Sequence, residues 1–323
     1  MSEFQDRLAK LTPEQRKLLE LLAKEKKASA STSAPGTPEP QPPAAAPTIV
    51  EDRWFSLEPG VFPDKGDVRE LYNVVTTQLN ASEFGQHSIF LNWGYVPNHE
   101  PSYSQVTLPD IYLNKNPTRL VLEVIADTKL GPEDTVLDVA CGRGGTVSVL
   151  RKFFNVGRVT GLDLSTAAIA FCQQRHRYPD THFVVGDSEN LPFEDASMSV
   201  VTNLESSHCY PNIRNFYRSV FRVLRPGGHF CYTDVLHSAR LPELEAALQE
   251  TGFELVRKRD ITNNVLLSCD DIARNHARIF EGNNSYVMGN FLAAPGSRIY
   301  NEMKNGVQTY VLYKLRKPDG TAR

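Results

Sequence analysis

Short apolar runs alternate with helix-like segments from residue 134 almost to the end of the chain. The first run, TVLDVA, leads into a glycine-rich turn, and VGRVTGLDLS, THFVVGD, MSVVTNLES and HFCYTDVL follow it. Two more runs, FELVRKRDIT and VQTYVLYKLRK, lie near the C-terminus. Apolar strands that alternate with helices favour a parallel sheet covered by helices on both faces. We therefore predict an α/β fold with a doubly wound, mostly parallel sheet of seven strands.

The N-terminal part of the chain has a different composition. Residues 1–27 contain a predicted helix over 12–27, which Thr12 and Pro13 open in the manner of an N-cap and a first helical position. Residues 28–47 are rich in Ala, Pro and Ser, and they predict a semi-extended linker. Residues 48–323 are predicted to form the main domain, with helices over 67–81 and 115–129. We expect the segments 67–115 and 263–305 to cover a ligand pocket, the second as irregular structure.

Charge and cysteine content exclude several classes of protein. The net charge is −3, so no basic field indicates binding to nucleic acid or to an anionic membrane. No apolar run approaches the ~18 residues of a transmembrane helix, and the polar N-terminus has no signal-like apolar core. The 5 cysteines form no CxxC pair, as expected of reduced thiols. We therefore expect a cytoplasmic protein.

A glycine-rich loop follows the first predicted strand, in VLDVACGRGG. Asp138 ends the strand, and Gly142 and Gly144 lie in the turn, where a ligand could approach the backbone closely. The spacing does not match the GxGxxG pattern that binds a pyrophosphate. An acid at this place repels phosphate but suits an ammonium group. The alternative is a glycine-rich turn that binds nothing.

Two further acids end the next two predicted strands. Asp163 follows the glycines by about 20 residues, where a carboxylate can accept hydrogen bonds from a ribose diol. Asp187 ends the third strand and could accept a hydrogen bond from the exocyclic amine of an adenine. Taken singly, Asp163 could instead cap a helix, and Asp187 could be an ordinary residue at a strand end.

Together, VLDVACGRGG, GLDLS, GDSENLPF and LRPGG resemble the class I S-adenosylmethionine-dependent methyltransferases, over roughly residues 68–316. The resemblance implies a Rossmann-like fold with an N-terminal helical lid, and S-adenosylmethionine as cofactor. It implies that the loop from Ala140 to Gly144 holds the methionine part, that Asp163 binds the ribose, and that Asp187 with Ser188 brackets the adenine. Ala140 stands where the family has its first loop glycine. The residues implied to contact the cofactor are Asp138, Ala140, Gly142, Gly144, Asp163, Leu164, Asp187, Ser188, Asn203 and Tyr95.

The segment NLESSHCYPN, after the fourth strand, resembles small-molecule O-methyltransferases of natural-product pathways, in which an E-S-x-H segment supplies a base. His208 matches that histidine, and Asp234 matches an acid often paired with it. A hydroxyl nucleophile must lose its proton as it attacks, and a histidine that titrates near 6.5 is suited to accept it. The alternatives are that His208 is only a pocket wall and that Asp234 only binds nearby loop amides.

Two other features remain open. Glu205, His208 and Cys209 lack a second ligand cluster, so we predict no metal. The segment FLNWGYVPN resembles the NxGY segment of the same methyltransferases, which implies that Trp93 and Tyr95 contact the pocket. The alternative is that these aromatic residues belong to the core.

The predicted function is O-methylation of a hydroxyl on a secondary metabolite of polyketide or peptide type, either free or bound to a carrier protein. A C- or N-methyltransferase, a methyltransferase-like cyclase that keeps the cofactor and a non-catalytic adaptor are the alternatives. LTPEQRKLLELLAKEK, in the tail, resembles the leucine-rich helices that open modules of nonribosomal peptide synthetases and their partner proteins. That resemblance implies docking to a synthase, whereas a helix that packs on its own domain is equally compatible with the pattern.

Overall fold

Seven strands form a single sheet in the centre of the fold. They are β1 (Thr135–Val139), β2 (Arg158–Asp163), β3 (Thr181–Val185), β4 (Met198–Leu204), β5 (Leu224–His237), β6 (Glu254–Asp260) and β7 (Gln308–Arg316). Their order is β3-β2-β1-β4-β5-β7-β6. β1 to β5 pair in parallel, and β7 runs antiparallel to both β5 and β6. The predicted doubly wound, mostly parallel sheet of seven strands is confirmed.

The computed structural model describes residues 64–320, apart from 82–84, 99–102, 104–105, 110–111 and 276–291. The described helices are α1 (Lys65–Ala81), α2 (Lys115–Ile125), α3 (Gly145–Phe153), α4 (Thr166–Arg175), α5 (Ile213–Val223), α6 (Leu241–Thr251), α7 (Thr262–Asn275) and α8 (Arg298–Lys304). The predicted N-terminal helix and the linker 28–47 lie outside the described residues.

Alternate residues of the strands enter two different apolar clusters, because successive side chains of a strand point to opposite faces. Val136 belongs to a cluster with residues of α2, α3, α4, α7 and α8, whereas Leu137 packs with residues of α5 and α6. Both side chains are fully buried. The helices therefore cover both faces of the sheet, as its long apolar strands require.

Local sequence explains where the crossover helices start. Ser165 accepts a hydrogen bond from the amide of Ala168 at the start of α4, and Asn212 does the same for the amide of Asn215 at the start of α5. Both are favoured N-cap residues. α4 begins three residues after β2, and α5 follows β4 after the segment 205–212, so the carboxyl ends of both strands stay at one edge of the sheet.

The expectation of irregular structure over 263–305 is wrong for most of the described parts of that segment, although 292–297 form turns. Residues 262–275 form α7, and residues 298–304 form α8. Asp260 accepts a hydrogen bond from the amide of Thr262, where α7 begins. Val265 and Cys269, one turn apart, are buried against the core. This narrow apolar stripe, on a helix otherwise rich in Asn and Asp, is what holds α7 on the domain.

Candidate active site

A cleft opens at the carboxyl ends of β1 to β4. Its empty space is about 1250 Å³, including the part open to solvent. Its walls are the loop 140–146, the ends of β2 and β3, the segment 204–211, α1 and the segment 89–93. The cleft lies where the strand order reverses between β1 and β4, which is the expected ligand position in such sheets.

The glycine loop lies at the floor of the cleft. Ala140 and Gly142 line it, and both have left-handed backbones, with φ of 54° and 51°. The amide of Gly142 donates to the Asp163 carboxylate at 2.8 Å, which fixes the loop against the end of β2. Gly144, by contrast, is not among the residues that line the cleft. A Cβ there would lie 2.6 Å from the ring of His176, so Gly144 allows the loop to pack closely against that ring.

Asp138 is a buried acid with one unsatisfied oxygen. Its Oδ1 accepts a hydrogen bond of 2.7 Å from the Thr202 hydroxyl. Its Oδ2 receives no hydrogen bond of ordinary geometry from the described residues, although the residue lines the cleft. Burial raises the pKa of Asp138 to about 7, and the nearby charge of Asp163 adds to the shift. Such a carboxyl is suited to accept a hydrogen bond from a cationic amine, which would also favour its ionised form.

Asp163 and Leu164 line the cleft at the end of β2. The Asp163 carboxylate accepts backbone hydrogen bonds from Gly142 and from Ser165, both at 2.8 Å. Burial raises the pKa of Asp163, whereas these amides act in the opposite direction. The carboxylate therefore organises the loop while it lines the cleft.

Asp187 and Ser188 line the outer part of the cleft, beside a lysine from α1. Lys65 Nζ lies 2.8 Å from Asp187 Oδ2 and 2.6 Å from a carboxylate oxygen of Glu189. Asp187 also accepts a hydrogen bond from the amide of Glu189. Lys65 thus connects the start of α1 to the end of β3, a link that the sequence did not predict.

His208 and Asp234 form a hydrogen-bonded pair in the wall of the cleft. His208 lies in a short 3₁₀ turn, Ser207–Cys209, after β4, and its Nδ1 is 2.7 Å from Asp234 Oδ1 on β5. The Asp234 side chain is fully buried, and its Oδ2 also accepts from the Ser207 hydroxyl at 2.5 Å and from the amide of His208 at 3.0 Å. The carboxylate therefore fixes both the ring and the backbone of the histidine.

The titration of His208 differs from the sequence-based expectation of a value near 6.5. Burial acts to lower the pKa of His208, but the neighbouring Cys209 and the Asp234 carboxylate raise it, and the net shift is well above the ordinary value. The carboxylate of Asp234 therefore favours the imidazolium form of the ring. Since Nδ1 is engaged by Asp234, a proton exchanged with a ligand would move through Nε2.

Glu205 lines the cleft three residues before His208 and has a left-handed backbone with φ of 49°. Its carboxyl accepts hydrogen bonds from the amide of Trp93 at 3.0 Å and from the Tyr310 hydroxyl at 2.5 Å. Burial raises the pKa of Glu205 to about 8. The residue therefore ties the segment around Trp93, which lines the cleft, to β7.

The structure does not bring Tyr95 or Asn203 into the cleft. Tyr95 is fully buried behind it, with its hydroxyl 3.1 Å from a guanidinium nitrogen of Arg259. Asn203 is also fully buried, and its amide group donates to the Ser206 and Tyr210 hydroxyls, which do line the cleft. Both side chains therefore support the wall from behind and do not themselves face the cleft.

Sequence reasoning also missed residues of α1 that line the cleft. Val68 and Tyr72 lie one helical turn apart and, with Lys65 and Arg69, form the side of α1 that faces it. Their i, i+4 spacing was a usable signal, because residues four apart share one helix face.

Among the described residues, no three His, Cys, Asp or Glu side chains come together as a metal site. Within the same part of the chain, no helix is both long and apolar enough to cross a membrane.

Comparisons with known proteins agree with this geometry. Residues 137–232 match the family model described as "Methyltransferase domain". The chain is 40% identical over 202 residues to the probable phthiotriol/phenolphthiotriol dimycocerosates methyltransferase 2 of Mycobacterium ulcerans (strain Agy99), covering 62% of this chain and 74% of the relative. It is 32% identical over 250 residues to the fatty-acid O-methyltransferase of Mycolicibacterium smegmatis (strain ATCC 700084 / mc(2)155). That match covers 77% of this chain and 89% of the relative.

A solved structure of similar fold is that of the [4+2]-cyclase SpnF. It superimposes with a TM-score of 0.64 at 22% identity, and the match covers 80% of this chain and 98% of the cyclase. At that identity the likeness establishes the fold alone. The same architecture thus serves a protein named for a different reaction, so the chemistry has to be argued from the residues in the cleft.

Proposed function

Since the chain belongs to the class I S-adenosylmethionine-dependent methyltransferases, we propose that it methylates an oxygen of a hydrophobic metabolite of lipid or polyketide type. The observation that carries this proposal is the His208–Asp234 pair, which lies in the wall of the cleft that also contains the glycine loop. The substrate class follows from the relatives, one named for phthiotriol dimycocerosates and one for fatty acids.

The residues of the cleft fit S-adenosylmethionine. The unsatisfied Asp138 Oδ2 suits the ammonium group of the methionine part, and we assign the ribose to Asp163 and the adenine to Asp187 with Ser188. Ala140 and Gly142 expose the backbone over which the methionine part would lie. The cofactor supplies an electrophilic methyl group on a sulfonium. The residues of the cleft bind the cofactor and the acceptor, align them, and move one proton.

For a hydroxyl acceptor, His208 is the general base. Neutral His208 would accept the hydroxyl proton at Nε2, while Asp234 keeps the remaining proton on Nδ1 and stabilises the imidazolium. Because the pKa of His208 is raised, the ring must first lose its proton before it can act as the base. Activity toward a hydroxyl should therefore increase as the pH rises through that pKa.

A carboxylic acid is a second candidate acceptor, and the raised pKa of His208 favours it. A carboxylate needs no base, since it is already ionised at neutral pH. The imidazolium would instead bind and orient it by a charge-assisted hydrogen bond. Activity toward a carboxylate should then decrease as the pH rises through the same pKa, opposite to the behaviour with a hydroxyl.

Matched acceptors separate these reactions. We would supply S-adenosylmethionine with a deuterated methyl group together with either a long-chain hydroxy fatty acid methyl ester, which offers only a hydroxyl, or the unsubstituted fatty acid, which offers only a carboxyl. Mass spectrometry and NMR should locate the label on oxygen, as an ether or an ester. Label on carbon or nitrogen would overturn O-methylation. Conversion of a pathway intermediate without release of S-adenosylhomocysteine would favour the cyclase alternative.

A further inference from the structure

Arg143, in the glycine loop, carries a fully buried guanidinium whose partners are neutral oxygens. Its Nε donates to the carbonyl of Ser88 at 2.5 Å, and its Nη2 donates to the carbonyl of Gly85 at 2.7 Å. Its Nη1 donates to the side-chain oxygen of Asn80 at 2.8 Å and to the carbonyl of Thr76 at 3.3 Å. All four acceptors belong to the last part of α1 or to the segment that follows it.

The local chemistry explains why a cation is stable there. The carboxyl end of a helix carries a partial negative charge, and Arg143 binds Thr76 and Asn80 near that end of α1. α1 has no basic residue in its own last turn, so Arg143 supplies the cation from another part of the chain. The ring of Phe171 lies 3.6 Å from the guanidinium carbon and adds a cation–π contact. Burial lowers the pKa of Arg143 to about 10, which leaves it charged at neutral pH.

The backbone of Arg143 is as constrained as its side chain. It lies between Gly142 and Gly144, both with left-handed φ, and its carbonyl is 2.8 Å from Nε2 of His176. A change in the glycine loop therefore moves the guanidinium, and the guanidinium is bonded to the end of α1.

The two ends of α1 have different surroundings. Lys65 and Tyr72, in its first half, line the cleft, whereas Thr76 and Asn80 do not. At a rise of 1.5 Å per residue, Thr76 lies about 16 Å along the helix from Lys65. A ligand in the cleft can therefore contact the first half of α1 directly, but it reaches the last turn only through the protein.

We propose that Arg143 is a positioning residue that couples ligand binding at the glycine loop to the last turn of α1, and so holds α1 over the cleft. By linkage, a ligand that orders the loop also orders the end of the helix. This inference rests on the proposed assignment of the glycine loop to the cofactor.

Amide hydrogen exchange of the full chain, with and without S-adenosylhomocysteine, tests the coupling. In the wild type, the ligand should slow amide exchange in the glycine loop, 140–145. It should also slow exchange at least about tenfold in 76–81 and 85–88. In Arg143→Met the slowing at 76–81 and 85–88 should fall below about twofold. A purely structural role would increase exchange with and without ligand but would leave the effect of the ligand intact.

Arg151→Met is the matched control. Arg151 also binds backbone carbonyls, those of Val156, Gly157 and Asp180, but none of its contacts reaches α1. This variant should keep the full slowing at 76–81. Arg143→Lys retains the charge without the planar guanidinium, and the ligand should slow exchange at 76–81 to an intermediate extent in this variant.

Each outcome has a distinct meaning. If the ligand slows exchange nowhere in the wild type, the cofactor assignment fails rather than the coupling. If the ligand slows 76–81 equally in Arg143→Met and the wild type, the coupling proposal is overturned. Should Arg143→Met not fold, Asn80→Ala removes one acceptor from the helix and is expected to reduce the slowing about threefold. Undiminished slowing in that variant would also overturn the proposal.

Discussion

Replacing Asp234 with asparagine keeps the shape of the side chain and removes its charge. In the wild type, Oδ1 faces Nδ1 of His208 at 2.7 Å, and Oδ2 accepts from the Ser207 hydroxyl and from the amide of His208. The side chain of asparagine has an acceptor oxygen on one side and a donor NH2 group on the other, so some of these partners must face the donor. If that side faces the ring, the proton must move from Nδ1 to Nε2, and the tautomer that accepts a proton from the cleft is lost.

The magnitude follows from the burial of the pair. A buried hydrogen bond to a charged group contributes about 1.5–3 kcal/mol. Since one pKa unit corresponds to about 1.36 kcal/mol, Asp234→Asn should lower the pKa of His208 by about one to two units. Turnover of a hydroxyl acceptor should fall by about 10²–10⁴, the usual contribution of a positioned base.

NMR titration of the His208 ring measures this pKa without an acceptor. The wild-type value should lie above 6.5, and the Asp234→Asn value should lie one to two units lower. Asp195→Asn, which lies before the start of β4 at the opposite edge of the sheet, should leave it unchanged. A histidine whose pKa is higher in the folded than in the unfolded protein stabilises the fold at pH values below the unfolded pKa. That contribution to the free energy of unfolding is lost as the pH rises through the folded pKa. An identical His208 pKa in the wild type and Asp234→Asn would refute the reasoning.

Three further substitutions have defined outcomes. Asp163→Ala should weaken S-adenosylhomocysteine binding about 10- to 150-fold by calorimetry, because a charge-assisted acceptor worth about 1.5–3 kcal/mol is lost; unchanged affinity would mean that the ribose lies elsewhere. Burial raises the pKa of Glu205 from its ordinary 4.5 to about 8, so the unfolded chain releases this proton first and the wild type should lose stability with rising pH between these values. Glu205→Gln should lack that slope in thermal unfolding, and parallel slopes would contradict it. Gly144→Ala should cost about 1–3 kcal/mol more than Gly306→Ala in chemical denaturation, since both have left-handed φ but only Gly144 is crowded; equal losses would show that the crowding relaxes freely.

The acids of the cleft could be located from the sequence because strand ends were identifiable. Asp138, Asp163 and Asp187 each close an apolar run, and parallel strands bring their carboxyl ends to one edge of the sheet. The pairing of His208 with Asp234 was implied only by the resemblance to small-molecule O-methyltransferases, and the structure brings the two together because β4 and β5 are neighbours. The positions of the three acids needed only the strand ends.

Side-chain direction in the loops could not be derived in this way. Tyr95 and Asn203 lie next to cleft residues in sequence, yet tertiary contacts turn them behind the wall. The last glycine of the loop, Gly144, packs on His176 instead of facing the ligand. Nor does any local pattern distinguish a buried cation such as Arg143 from the many exposed arginines, because its acceptors lie at least 55 residues away in sequence.

The rate of methyl transfer to the hydroxy fatty acid methyl ester, measured from pH 6 to 9 in the wild type and in His208→Ala, tests the central claim most directly. The account predicts that the wild-type rate rises with pH, and that His208→Ala lowers turnover by about 10²–10⁴ while S-adenosylhomocysteine binding stays near normal. His237→Ala is the control, because His237 lies outside the cleft and only caps a short turn. A native rate for His208→Ala across this range would contradict the claim that His208 is the base.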